Sequence, residues 1–171
     1  MGIAREVAMY KEILVAVDGS RSGRRALDEA VKIAKATGGR VQALCVVPHP
    51  ARLVDVASGF AEEQTRQSAE RDAATLALEE AREVFVREGV EGSTRAADSS
   101  GEEIAAVIYR IAAEDDVELV VMGTRGLSGV KRLLLGSVAE SFLRMADRPV
   151  MLVRCEDEAA AQAPAMSVRN S

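Results

Sequence analysis

The sequence VELVVMGTRGLSGVKRLLLGS, residues 117–137, joins a short apolar run to a segment that contains four glycines. The apolar run predicts a buried strand, and the residues from Ser137 onward begin a helical pattern. Glycines between a strand and a helix leave backbone N–H groups accessible, and such groups attract anions. This stretch therefore predicts an anion-binding loop in a protein of the α/β class.

The composition predicts one globular domain built on a parallel sheet. Of the 171 residues, 48% are hydrophobic but only 3% are aromatic, so Ala, Val, Leu and Ile must fill the core. Buried parallel strands are rich in such residues. The formal net charge of −5 argues against nucleic-acid binding, which requires clustered Lys and Arg.

The sequence contains no apolar run near the roughly 18 residues that span a bilayer. Its first residues lack the long apolar core of a signal peptide. We therefore expect a cytoplasmic protein that does not associate with membranes. Cys45 and Cys155 are too few for a disulfide framework and are not spaced as C-x-x-C, so we expect two small hydrophobic residues in a reducing compartment, with a redox pair as the alternative.

Strand and helix patterns alternate along the chain. The predicted strands are residues 12–17, 40–47, 93–97, 117–122 and 150–153. The predicted helices follow Ser20 or Ser22, cover about 62–88, start at 104 after a capping segment at 98–103, and cover 137–146. Strict alternation predicts a mostly parallel sheet with helices on both faces, and in such folds ligands bind at the carboxyl ends of the strands.

The predicted helix at about 62–88 is rich in Ala, Glu and Arg. The residues expected to face the core are Ala69, Ala73, Leu76, Ala77, Val84 and Phe85. Outside the domain at 11–155, residues 1–10 predict a loose arm and residues 156–171 a flexible tail. The loop at 48–61 is either a binding loop or a variable surface excursion.

Each glycine of the opening stretch suggests a separate role. Gly123 follows the strand directly, where a tight turn often requires a positive φ. Gly126 and Gly129 let a ligand approach the backbone, and Gly136-Ser137 opens a helix whose free N–H groups favour an anion. Arg125, Lys131 and Arg132 add positive charge, so the stretch suits a polyphosphate. A flexible strand–helix connection with a capping serine remains the alternative, because an isolated glycine-rich loop is weak evidence.

Asp18, at the end of the first strand, is the acidic residue that would share a crevice with Gly123 if strands one and four are neighbours. Its carboxylate can accept hydrogen bonds from ribose hydroxyls, help to hold a metal, or cap a turn. The P-loop pattern G-x-x-x-x-G-K-[ST] is absent, and so is G-x-G-x-x-G after the first strand.

The sequence contains a single histidine, His49, in a loop flanked by prolines. A surface imidazole is the simple interpretation, because nothing else in the chain completes a Ser-His-Asp or Cys-His arrangement. One His and two distant Cys cannot form a metal cluster, although Mg²⁺ can arrive on nucleotide phosphates. The sequence thus identifies no catalytic residue.

The motifs together resemble those of the universal stress protein family. Gly123-x-x-Gly126, nine residues and then Gly136-Ser137 is similar to that family's nucleotide-binding motif, and residues 13–20, 120–126 and 149–153 resemble its first, fourth and fifth strands. The resemblance covers about residues 10–154. It implies a Rossmann-like (adenine nucleotide alpha hydrolase-like) three-layer sandwich whose five-stranded parallel sheet has the order 3-2-1-4-5.

The resemblance also implies binding of ATP, or of AMP or ADP, with Mg²⁺ carried by the phosphates. The binding residues that it implies are Ala16, Val17, Asp18, Val46, Met122, Gly123, Arg125, Gly126, Gly129, Gly136, Ser137 and Val138. It further implies a homodimer formed through the last strand, residues 149–154. On this basis we expect an ATP-binding regulatory protein of the stress response, with a slow ATP hydrolase or nucleotidyl transferase, or a nucleotide-free interaction protein, as alternatives.

Overall fold

The computed structural model describes residues 9–48, 60–125 and 135–155, with side chains described from Thr65 onward in the second of these ranges. Within them, strands and helices alternate as the sequence predicts. The strands are β1 (Glu12–Ala16), β2 (Arg40–Val47), β3 (Gly92–Asp98), β4 (Leu119–Gly123) and β5 (Val150–Val153). The helices are α1 (Arg21–Thr37), α2 (Phe60–Glu88), α3 (Ile104–Glu114) and α4 (Ser137–Met145). The predicted tail at 156–171, most of the arm at 1–10 and most of the 48–61 loop, with His49, lie outside the described residues.

The five strands form one parallel sheet in the order β3-β2-β1-β4-β5. This confirms the predicted Rossmann-like architecture. Strands β1, β2 and β3 follow one another towards one side of the sheet, whereas β4 and β5 are added on the other side of β1. Ala16 of β1 therefore lies opposite Leu44 of β2 on one side and Met122 of β4 on the other. The carboxyl ends of β1, β2 and β4 therefore meet at one switch point.

Apolar side chains pack on both faces of the sheet. On one face Ile13 and Val15 belong to a cluster with residues of α1 and α2, and on the other Leu14 and Val120 pack with residues of α3 and α4. Successive side chains of a strand point to opposite faces, so a strand that is apolar at every position requires helices on both sides. This three-layer arrangement holds the carboxyl ends of the strands in fixed positions.

The helix termini confirm one predicted cap and correct another. Ser20 is the N-cap of α1, where its hydroxyl accepts a hydrogen bond of 3.0 Å from the Gly23 N–H. At α3 the N-cap is Glu103, which makes no capping hydrogen bond with its side chain. The side-chain cap expected from residues 98–103 is wrong, because the Asp98 carboxylate accepts from the Ser100 N–H in a preceding turn.

Helix α2 corrects the list of core residues expected from its sequence. Ala74, Ala77 and Phe85 are buried, whereas Leu76 is 66% exposed and Ala69 and Ala73 are exposed as well. A helix rich in alanine gives little contrast between faces, so the periodicity alone did not identify its buried face. None of the helices in the described ranges is both long and apolar enough to cross a membrane.

Candidate functional site

A cleft of about 400 Å³ lies at the carboxyl ends of β1, β2 and β4, and we call it the carboxyl-edge cleft. Ten of the residues predicted to bind nucleotide line it. They are Ala16, Val17, Asp18, Val46, Met122, Gly123, Arg125, Gly136, Ser137 and Val138. Gly126 and Gly129 lie outside the described residues. Residues from four separate stretches of sequence thus surround one cavity.

The end of β1 brings a carboxylate to the cleft. The Val17 N–H donates to the Leu44 carbonyl at 2.9 Å, which fixes this end of β1 against β2. Asp18 Oδ1 then accepts a hydrogen bond of 2.9 Å from the Ser20 N–H, so it closes the turn into α1. Asp18 therefore has the turn-capping role considered for it and also lines the cavity.

The end of β2 supplies apolar surface and a buried thiol. Val46 is partly buried, and Cys45 beside it is 5% exposed. Burial, aided by the negative charge of Asp18, raises the pKa of the Cys45 thiol to about 11. The thiol is therefore protonated at neutral pH, when it behaves as a small apolar group rather than as a nucleophile.

Gly123, at the end of β4, is required by close packing. A Cβ atom at this position would lie 2.5 Å from Ser22 Oγ and 2.8 Å from the Ser22 carbonyl carbon. The expectation of a positive φ at Gly123 is wrong, because its backbone does not adopt the left-handed conformation. The glycine instead lets the first turn of α1 approach the end of β4.

Arg125 connects the cleft with the end of β5. Its carbonyl accepts a hydrogen bond from Ser22 Oγ, and its Nη2 donates to the Cys155 carbonyl. The Thr124 N–H donates to the Val153 carbonyl at 3.0 Å, which continues the same connection. The guanidinium group is thus held at the rim of the cleft by the segment that follows β5.

The N-terminus of α4 provides the most favourable place for an anion in the cleft. Gly136 is the N-cap and makes no side-chain capping hydrogen bond, while Ser137, Val138 and Ala139 of the first turn line the cavity. The N–H groups of a first turn lack partners within their helix and carry partial positive charge. Glu140 lies nearby, and its carboxylate pairs with Arg144 at 2.6 Å.

The Gly136 N–H donates to the Thr124 carbonyl at 2.7 Å. This hydrogen bond joins the two ends of the segment that the sequence identified as a glycine-rich loop. Residues 126–134 themselves lie outside the described part of the chain. The start of α4 and the end of β4 are therefore fixed side by side.

Helices α2 and α3 line the cleft with residues that sequence reasoning missed. Ile104 and Ile108 come from the first two turns of α3. They could have been anticipated, because a helix that follows a parallel strand begins at the carboxyl edge of the sheet. Glu70, Ala73 and Ala74 come from α2, and nothing in its sequence distinguishes Glu70 from the other acidic residues of that helix.

Metal binding by side chains alone finds no support in the described ranges. No three His, Cys, Asp or Glu side chains come together there in a way that could hold a metal ion. Asp18 and Glu70 are the acidic side chains that line the carboxyl-edge cleft. The donor set of the cleft consists mainly of backbone groups and apolar side chains, which suits an organic anion better than a bare cation.

Comparison with known proteins identifies the family. The model of the universal stress protein family matches residues 9–154. Universal stress protein YxiE of Bacillus subtilis is 33% identical over 153 residues, which cover 85% of this chain and all of the relative. A crystal structure of a universal stress protein family member from Burkholderia pseudomallei is 30% identical with a TM-score of 0.67, over 85% of this chain and 96% of that one.

A further solved structure contains a nucleotide. The universal stress protein from Archaeoglobus fulgidus in complex with dAMP is 27% identical, with a TM-score of 0.61 over 85% of this chain and 98% of that one. The match to the family model spans β1 to β5 and includes every described residue of the carboxyl-edge cleft. The chain therefore belongs to the universal stress protein family.

Proposed function

We propose that this protein binds ATP in the carboxyl-edge cleft and acts as a nucleotide-binding regulator in the stress response. The observation that carries the proposal is the convergence of ten motif residues on one cavity that has apolar walls and a helix N-terminus. The dAMP complex of the relative from Archaeoglobus fulgidus supports an adenine nucleotide as the ligand.

In this proposal the nucleotide lies across the ends of three strands. Adenine contacts Ala16, Val17 and the backbone of Val46, while the ribose hydroxyls donate to Asp18. Met122, Gly123 and Arg125 extend the ribose and phosphate contacts. The phosphates lie at the partly positive N-terminus of α4 and contact Gly136, Ser137 and Val138. Gly126 and Gly129 complete the proposed phosphate contacts. AMP or ADP would use the same base and sugar contacts.

Mg²⁺ would enter on the phosphates, which supply the oxygen ligands that this ion prefers. The cytoplasm is the location that we propose for the protein, because ATP is present there in a reducing environment that keeps thiols such as Cys45 unoxidised. Nucleotide occupancy would then regulate the protein by changing its shape or its partners.

The binding proposal is tested by heat release of any nucleotide that co-purifies, followed by calorimetric titration of the emptied protein with ATP. We expect saturable binding and a Tm that rises with ATP concentration. A titration without heat and without a Tm rise would overturn the proposal. Incubation of the complex with Mg²⁺ then separates simple binding from slow hydrolysis or nucleotidyl transfer.

Gly136→Val tests the phosphate end. Gly136 has a φ of −62° and a ψ of 150°, which valine also adopts, so the substitution blocks the approach of phosphate without straining the backbone. We expect ATP affinity to fall at least about tenfold. The matched control is Ala96→Val on the exposed surface of β3, which should leave ATP affinity unchanged.

We propose in addition that two copies pair through residues 149–154. Strand β5 is an edge of the sheet, none of the described strands pairs with its outer side, and Met151 on it is 38% exposed. Light scattering should give the mass of a dimer for the native chain and of a monomer for Met151→Asp. A monomeric native chain at micromolar concentration would contradict this part of the proposal.

A further inference from the structure

Glu70 of α2 lines the carboxyl-edge cleft with a carboxylate oxygen that has no partner among the described residues. Its Oε2 is buried, and none of the residues that the structure describes donates a hydrogen bond to it. A buried acceptor without a donor is costly and uncommon in folded proteins. The other carboxylate in the lining, Asp18, already accepts from the Ser20 N–H. Glu70 is therefore the acidic group in this cleft that most needs a donor from a ligand.

The position of α2 places Glu70 away from the proposed phosphate end. Helix α2 packs against β2 and β3, whereas the N-terminus of α4 and the end of β4 form the other side of the cleft. Glu70 precedes Ala74 by about one helical turn, and both line the cavity with Val47 at the end of β2. Glu70 thus belongs to the helix that packs on β2, the strand whose Val46 the proposed function assigns to the base, and not to the elements assigned to the phosphates.

The chemistry of that region determines which base suits it. Apart from the Glu70 carboxylate, the α2 lining consists of Ala73 and Ala74, whose side chains offer no hydrogen bonds. A carboxylate can only accept hydrogen bonds, so it suits a base that presents an amino group. A base with an oxo group in the same place would set two acceptors against each other and leave Glu70 without a donor.

We propose that Glu70 is the base-selecting residue of the cleft. Its carboxylate accepts a hydrogen bond from the exocyclic amine of adenine and thereby favours ATP over 6-oxopurine nucleotides. This inference rests on the proposed ATP binding, and it adds a side-chain determinant to a base site otherwise formed by backbone and apolar groups.

The test compares the affinities of ATP and inosine triphosphate, which differ at the 6-position of the base. For the native protein we expect ATP to bind at least about tenfold more tightly, because hydrogen bonds to charged groups are the stronger ones. Glu70→Gln should reduce this preference to about twofold, since an amide of the same shape both donates and accepts. Glu79→Gln, an exposed position on the same helix, is the matched control and should keep the native preference.

The outcomes separate this inference from the function on which it rests. A native protein that binds neither nucleotide would overturn both. ATP binding with the same ATP preference in the native protein and in Glu70→Gln would overturn the role of Glu70 alone. The same holds if Glu70→Gln alters discrimination between ATP and 2′-deoxy-ATP instead, because Glu70 would then contact the sugar.

A further measurement requires no variant. N6,N6-dimethyl-ATP keeps the adenine ring but has no exocyclic hydrogen to donate, so the native protein should bind it at least about tenfold more weakly than ATP. Equal affinity for the two nucleotides would overturn the proposal even if ATP binding itself is tight.

Discussion

Two cavities of similar size lie at opposite ends of the sheet. The carboxyl-edge cleft has a volume of about 400 Å³, and a groove lined by residues such as Glu12, Arg40, Asp115 and Val117 has about 420 Å³. We call the second one the amino-edge groove, since it lies where β1, β2 and β3 begin. Volume alone therefore does not identify the binding site.

The two cavities differ in which helix termini they contain and in whether their charged side chains form ion pairs. The carboxyl-edge cleft contains the N-terminus of α4, whereas the amino-edge groove contains the C-terminal residues Glu114 and Asp115 at the end of α3. Helix N-termini attract anions and helix C-termini repel them. Glu12 pairs with Arg40 at 2.6 Å and Asp115 with Arg95 at 3.0 Å, so carboxylates at the amino edge are engaged in ion pairs.

Parallel strands and their crossover helices make the carboxyl ends of the strands chemically different from the amino ends. One edge collects helix N-termini, and the other collects helix C-termini and the acidic residues near them. The nucleotide of the proposed function, with its negative phosphates, would therefore favour the carboxyl-edge cleft over a groove of similar volume. The predictions below test whether the two edges are as separate in function as they are in polarity.

The largest effect is expected from glycines at the two edges. A Cβ at Gly123 would lie 2.8 Å from the Ser22 carbonyl carbon, and one at Gly92 would overlap with the Phe85 ring. Gly123→Ala and Gly92→Ala should each lower the free energy of unfolding by about 3 kcal/mol, because neither neighbour can move freely. Only Gly123→Ala should also weaken ATP binding, by about tenfold, since it displaces α1 from the end of β4.

Denaturant unfolding and calorimetric titration measure the two effects separately. Gly92→Ala serves as the matched control, because it disturbs packing at the opposite edge. If Gly92→Ala weakened ATP binding as much as Gly123→Ala does, the functional separation of the two edges would be wrong.

The topology could be predicted from the sequence because each element carries its own signal. Apolar runs such as residues 13–17 are too short for helices, and Gly38, with a φ of 64°, ends α1 as glycines commonly do. The alternation of elements then leaves few ways to arrange a parallel sheet. The strand pattern predicted that Asp18 and Gly123 share a crevice if strands one and four are neighbours, and the resemblance to the universal stress protein family implied the other predicted residues of the cleft.

Contacts between elements that are far apart along the chain could not be predicted from the sequence. Gly123 faces Ser22, which is 101 residues away along the chain, and no local pattern encodes that approach. Glu70 reaches the cleft because of the path that α2 takes across β2 and β3, yet its helix has almost uniform alanine and charge. Such features depend on the angle at which helices cross the sheet, which side-chain packing determines in three dimensions.

A smaller effect is expected from the thiol in the carboxyl-edge cleft. The pKa of Cys45 rises from its ordinary value of 9.0 to about 11, because burial disfavours the thiolate. The folded state therefore favours the neutral thiol. The resulting stabilisation is complete below pH 9 and is lost as the pH rises through about 11, to an extent of up to about 2 kcal/mol.

Unfolding experiments between pH 8 and 11 on the native chain and on Cys45→Ala measure this contribution. The native chain should lose stability more steeply over that range than the variant does. Cys155→Ser is the matched control and should keep the native slope, because Cys155 is less buried than Cys45. Parallel slopes for the native chain and Cys45→Ala would show that water reaches this part of the cleft.

The smallest of these effects is expected beside the amino-edge groove, at Arg148. Its Nη1 donates to the carbonyls of Ala112 and Val117, at 2.5 and 3.0 Å, and its guanidinium lies 5.9 Å from the centre of the Tyr109 ring. Arg148→Met keeps much of the apolar length but removes both hydrogen bonds, so it should lower the free energy of unfolding by about 1–2 kcal/mol. Since these contacts close the C-terminus of α3 and not the cleft, ATP affinity should stay within about twofold of the native value. A larger loss of ATP affinity in a fully folded Arg148→Met protein would show that the two edges are coupled through α3, whose first turns line the cleft.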